Sequence, residues 1–175
     1  MFFGYLIMTK TKNNIVVYPG FFDPMTLGHL NIIERAAKIY EQVIVAIAAD
    51  SPKKSLITLQ DRIELAKNAC TSFDNVDVEA FSGLLMRYVK SKDSHVILRG
   101  IRTVSDFEYE FQMSLANKKL ESSIETVFMM TDAKYSFLSS TLIKEIARLN
   151  GNISEMVPQE VERKMKEIFA YELTC

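Results

Sequence analysis

The segment Tyr18-Pro19-Gly20-Phe21-Phe22-Asp23-Pro24-Met25-Thr26-Leu27-Gly28-His29 holds two of the four prolines and two of the six glycines. Proline stiffens such a loop, and glycine lets backbone approach a ligand closely. His29 follows a glycine and opens a predicted helix, whose free N–H groups attract phosphate. Its imidazole either donates to that phosphate or serves as a capping or core histidine. Arg99-Gly100-Ile101-Arg102 follows an apolar run, and the planar guanidinium fork suits phosphate oxygens. The other reading of these arginines is a surface pair held by Asp106 and Glu108. Glu110 lies two positions past Glu108, and one of the two bonds a ligand hydroxyl or orients an arginine. Ser139-Ser140-Thr141 precedes a further helical segment. One hydroxyl suffices as a cap, so the surplus suggests a second phosphate-binding helix start, with Lys144 one turn in. Lys53-Lys54 reads as a solvated loop or a phosphate contact. Leu84-Leu85, after Ser82-Gly83, reads as helix packing or as the wall of a substrate tunnel.

Other chemistries lose ground. The chain has no G-x-G-x-x-G and no G-x-x-x-x-G-K-[ST] fingerprint. It has no C-x-x-C, H-E-x-x-H or G-x-S-x-G, and Cys70 and Cys175 have no metal-ligand spacing, so no metal residues are assigned. His95 reads as a surface turn residue. Phosphate donors without a nucleophile suit a reaction between two bound phosphates, driven by proximity and electrostatic stabilisation.

These residues need strand ends to position them. Ile15–Tyr18, Val43–Ala49, Val76–Phe81, Val96–Leu98 and Thr126–Met130 are nearly continuous apolar runs, the pattern of strands buried on both faces of a parallel sheet. Helical periodicity falls between and after them at Leu30–Tyr40, Thr58–Cys70, a segment opened by the capping box Ser105–Glu108 and running to Leu120, Leu142–Leu149, and Gln159–Tyr171. Alternating strand and helix predict an α/β fold: a single Rossmann-like domain with a five-stranded parallel sheet and helices on both faces. Ligands of such sheets lie beyond the carboxyl ends of the strands, where the residues above fall.

The chain has 175 residues, a length for one domain, and a net charge of −1. A near-neutral chain has no whole-body field for nucleic acid or an anionic membrane. Its longest apolar runs, Met1–Met8 and Val43–Ala49, fall short of the roughly 20 residues of a membrane helix. Two cysteines fit reduced thiols and a cytoplasmic location. Residues 14–172 form the expected domain, and 1–13 an N-terminal extension, with the natural start at Met1 or Met8.

Thr26-Leu27-Gly28-His29 resembles the T/H-x-G-H signature of the nucleotidylyltransferase superfamily, and Ser139-Ser140-Thr141 its serine/threonine-rich second signature. Together with Tyr18-Pro19-Gly20, Phe22-Asp23-Pro24, Lys53-Lys54, Arg99–Arg102, Asp106-Phe107-Glu108-Tyr109-Glu110 and Tyr135–Thr141, they resemble the bacterial phosphopantetheine adenylyltransferases over about Ile15–Phe169. The resemblance implies transfer of the adenylyl group of ATP to 4′-phosphopantetheine, with Mg²⁺, giving dephospho-coenzyme A and pyrophosphate. It implies direct attack on the α-phosphorus, with His29 stabilising the transition state. It places Lys53, Arg99 and Phe21 at the pantetheine phosphate and Leu85 at the pantetheine arm. ATP contacts fall to Phe21, Phe22, His29, Gly100, Ile101, Arg102, Glu110, Tyr135, Ser136, Phe137, Leu138, Ser139, Ser140 and Thr141. A homohexamer and feedback inhibition by coenzyme A are implied too.

Phe21 departs from the family pattern, which has serine or threonine there. Losing one donor at a charged site costs about 1.5–3 kcal/mol. Two other readings follow: a nucleotide- or coenzyme A-binding protein without turnover, and the same chemistry with a different acceptor, such as nicotinamide mononucleotide or a sugar-alcohol phosphate.

Overall fold

The computed structural model describes residues 14–50 and 55–172. The expectations for the extension 1–13, the start codon, and Lys53-Lys54 lie outside those residues.

Five strands alternate with helices: β1 (Ile15–Gly20), α1 (Leu27–Ala37), β2 (Gln42–Ala48), α2 (Leu59–Ala69), β3 (Val76–Phe81), α3 (Leu85–Ser91), β4 (Val96–Ile101), α4 (Val104–Leu120) and β5 (Glu125–Met130). A 3₁₀ turn (Ala133–Tyr135), α5 (Ser140–Arg148) and α6 (Gln159–Glu172) complete the chain. The strands form one parallel sheet in the order β3-β2-β1-β4-β5. Chain order reverses between β1 and β4, so the crossovers leave in opposite directions there and open a crevice above the strand ends.

The runs of β1, β2 and β4 are largely buried, as their composition requires, whereas in the edge strands only Val78 of β3 and Met129 of β5 are buried, and the expected burial on both faces does not hold there. Val16, Tyr18, Val43, Val45 and Leu98 face Ile32, Ile33 and Ala36 of α1 on one side of the sheet. Val17, Ile44, Ala46 and Ile97 face Met86 and Val89 of α3 on the other. A third cluster joins Ile143 and Ala147 of α5 to Val161, Met165 and Phe169 of α6.

Several boundaries differ from the sequence expectations, β1 running to Gly20 and α5 starting at Ser140 among them, and three need a physical reason. β4 continues three residues past Leu98, because Arg99, Gly100 and Ile101 keep their register with Phe128, Met129 and Met130 of β5. α1 begins at Leu27, capped by Thr26. α4 is capped by Thr103, whose hydroxyl accepts from the Asp106 N–H at 3.2 Å, rather than by a box starting at Ser105. Two overlapping S/T-x-x-D/E registers stand here, and the earlier one wins. None of the residues of α4 is buried: Phe107, Tyr109, Phe111, Met113 and Leu115 are all exposed.

Candidate active site

A cavity of about 880 Å³ opens above the ends of β1 and β4. His29, Arg99, Gly100, Arg102, Glu110, Phe21, Phe22 and Leu138–Thr141 all line it, drawn together from both halves of the chain.

His29 stands at the third position of α1. Its Nδ1 accepts the Thr26 backbone N–H at 3.0 Å, while the Thr26 hydroxyl accepts the His29 N–H at 3.4 Å. This is a capping box in which imidazole replaces the usual glutamate or glutamine. An acceptor Nδ1 in a neutral ring leaves the hydrogen on Nε2. The capping and ligand-facing roles of His29 are therefore two ends of one ring. Phe22, buried at a φ of 48°, meets that ring edge-to-face at 5.1 Å. Burial, and then the charges of Arg102 and Arg99, lower the imidazole pKa to about 4. The ring is thus neutral at physiological pH, and Nε2–H is a dipolar donor.

Both arginines are held by carboxylates. Arg99 Nε donates to Glu110 Oε2 at 2.7 Å, and Nη2 makes a closer contact to Oε1. Its third arm donates to the Pro19 carbonyl at 2.7 Å. The Glu110 pair raises the Arg99 pKa against the pull of burial. Arg102 forks onto Asp106 at 2.9 and 3.1 Å and also donates to the Leu138 carbonyl. The acidic partners are thus Glu110 and Asp106; of the two acids in the surface-pair reading, Asp106 pairs and Glu108 does not among the described residues. Both guanidinium groups still line the cavity.

The second helix start divides its hydroxyls. Ser139 caps α5, accepting from the Leu142 N–H at 3.0 Å. Ser140 donates to the Pro24 carbonyl at 2.7 Å, tying α5 to the loop before α1. Thr141 and Lys144 line the cavity, and Lys144 pairs with Asp23 at 3.0 Å. Buried Asp23 also accepts the Leu56 and Ile57 N–H groups.

Several residues assigned by resemblance are not among those that line the cavity in the single chain. Ile101 is buried, while Tyr135, Ser136 and Phe137 flank the cavity without lining it. Leu85 packs beside the α3 core cluster and is likewise not part of the lining. Arg62 and Asp23 emerge only in three dimensions. Arg62 sits within the apolar stripe of α2, and nothing in its neighbourhood in the sequence marks a site.

A cytidylyltransferase-like family model matches residues 17–146. A phosphopantetheine adenylyltransferase from Solidesulfovibrio magneticus is 52% identical over 162 residues, covering 93% of this chain and 94% of that protein. Its counterpart in Clostridium botulinum strain 657 is 49% identical over 159 residues, covering 91% and 97%. The crystal structure of a candidate nicotinate-nucleotide adenylyltransferase from Vibrio parahaemolyticus superposes with a TM-score of 0.66. It covers 86% of this chain and 97% of its own, at 15% identity, and so bears on the fold alone.

Proposed function

We propose the following chemistry for this chain, which belongs to the phosphopantetheine adenylyltransferase family. It transfers the adenylyl group of ATP to 4′-phosphopantetheine, giving dephospho-coenzyme A and pyrophosphate in coenzyme A biosynthesis. An oxygen of the pantetheine phosphate forms a bond to the α-phosphorus, and the bond from that phosphorus to the β-phosphate bridging oxygen breaks. The attacking phosphate is already ionised, so neither a general base nor an enzyme nucleophile is needed.

The observation that carries this reading is the neutral His29, with Nε2–H as its free donor, in a cavity shared by two guanidinium groups and the starts of α1 and α5. A fixed donor aimed at charge developing on the α-phosphate lowers the barrier without reorganising. Gly28 supports it. A Cβ there would meet ordinary neighbours, the nearest 3.4 Å away, so packing does not demand glycine, and its place in the cavity lining suits close approach of a ligand. Arg99 and Lys53 take the pantetheine phosphate, with Leu85 along its arm. Gly100, Arg102 and the α5 start take ATP, while Glu110 acts by orienting Arg99.

Mg²⁺ belongs to the proposal as an ion carried on the ATP phosphates, whose charge it neutralises when bound. The residues fit that mode. Among the described residues no three His, Cys, Asp or Glu side chains gather into a cage, and Asp106, Glu110 and Asp23 are each paired with a cation. A helix without a buried face, as in α4, is stable when another surface covers it. A second copy of this chain is the proposed cover, within a homohexamer. Feedback inhibition by coenzyme A and a cytoplasmic location complete the proposal. No helix among the described residues is long and apolar enough to cross a membrane.

The test is pyrophosphate release from ATP, Mg²⁺ and 4′-phosphopantetheine by the native chain beside His29→Ala. Release that depends on His29 supports the reading. ATP binding without release would move it to the binding protein, and preference for another phosphate acceptor would change the substrate.

A further inference from the structure

Arg62 is a buried guanidinium, 3% exposed, reaching from α2 to the ends of two strands. Its Nη1 donates to the Phe21 carbonyl at 2.7 Å and to the Ala48 carbonyl at 3.1 Å. Its Nε has no partner, and no carboxylate lies within ion-pairing distance among the described residues. Asp23 is the acid whose charge it feels, and Asp23 is already matched by Lys144. The guanidinium carbon stands 4.1 Å from the centre of the Phe21 ring, the side chain in place of the family hydroxyl.

The guanidinium is attracted by the negative face of the Phe21 ring, and the contact fixes the ring in place as a rigid wall. Phe21 lines the cavity, as do Arg99, the residue proposed to take the pantetheine phosphate, and Asp50. We propose that Phe21 and Arg62 act as one unit that determines affinity for the phosphate-bearing acceptor. Phe21 forms the wall, and Arg62 is a positioning residue acting through the ring and the Phe21 carbonyl. This deepens the functional reading above and rests on its choice of acceptor.

The unit makes an asymmetric prediction. Phe21→Leu keeps apolar bulk and removes the π face, and raises the KM for 4′-phosphopantetheine about fivefold, the scale of one partly desolvated cation–π contact. Arg62→Lys loses the fork and raises it about tenfold, as expected for a lost charge-assisted pair. The KM for ATP rises less than the KM for 4′-phosphopantetheine, and Phe21→Tyr regains most of what Phe21→Leu loses. In the double variant the two effects do not add, since both break the same unit. Phe21→Leu alone carries the test if Arg62→Lys lowers the folded population. Equal changes in both KM values, or additive effects, would overturn the proposal. Calorimetric titration with 4′-phosphopantetheine separates the two readings. Weaker binding in Phe21→Leu by a chain that releases no pyrophosphate upholds the unit and sinks the reaction. Equal binding in a chain that does turn over sinks the unit alone.

Discussion

Replacing His29 removes two things at once, and they can be read separately. His29→Ala takes the acceptor from the Thr26 N–H, whose residue is 1% exposed. A lost cap and an orphaned buried donor together cost about 1–3 kcal/mol. For a domain of this size that lowers Tm by roughly 3–10 °C. The same change removes the Nε2–H donor, which costs about 10²–10³ in kcat if it stabilises the α-phosphate in the transition state. His29→Gln separates the terms. Glutamine is a natural third residue of a capping box, and its carbonyl oxygen takes the Thr26 N–H. The expected result is a Tm recovered to within about 2 °C of native, with a rate still near that of His29→Ala. Thermal unfolding and pyrophosphate release on the three proteins read both. If rate and Tm recover together in His29→Gln, the defect of His29→Ala lay in the helix start, and the donor argument is wrong.

Other expectations follow from the same geometry. Glu110→Gln weakens the bidentate hold on Arg99 and raises the KM for 4′-phosphopantetheine about tenfold, measurable by steady-state kinetics. The folded His29 pKa of about 4 lies below the unfolded value of 6.5, so the unfolded chain takes the proton first. Stability is therefore full above about pH 6.5 and falls, by at most about 3 kcal/mol, as the pH drops towards 4. Denaturant melts of native protein and His29→Gln across that range show this slope in the native chain only. His29 itself adds no inflection to the pH–rate profile near 6.5, so one arising from the substrate phosphates persists in His29→Gln; an inflection there that His29→Gln abolishes would mean the imidazole titrates freely. Cys70 is buried, with its thiol pushed up to about 11, and resists alkylation at neutral pH until denaturant is added, as peptide mapping of that cysteine would show.

The sheet was legible because central strands buried on both faces must be continuous apolar runs, and the edge runs of β3 and β5 are strands too, though mostly unburied in the single chain. Edges were harder. Arg99 and Gly100 look like loop residues, yet extended backbone beside β5 keeps them in β4. α4 misleads for the opposite reason: its apolar residues have no inward face in the single chain. Of the site, His29, the arginine pair and the hydroxyl run were readable because strand ends and helix starts fix their backbones. Their partners were less so. Glu110 was one of two acids in contention, and Arg62 meets Phe21 only through the fold, by a hydrogen bond and a ring contact across 41 residues of chain.

The reversal of chain order beside β1 also bears on assembly of the molecule. β1, β2 and β3 come from one continuous stretch, each paired with its neighbour along six residues. β4 joins β1 through two registered pairs, between segments some eighty residues apart. His29 belongs to the first half and both cavity arginines to the second, so a half-assembled chain holds only part of the phosphate donors. Substrate therefore binds appreciably only once the halves have joined, and by mass action it draws the population towards that joined state. The nucleotide pool then acts as a fastener for the seam, protecting the middle of the sheet from opening as well as feeding the reaction.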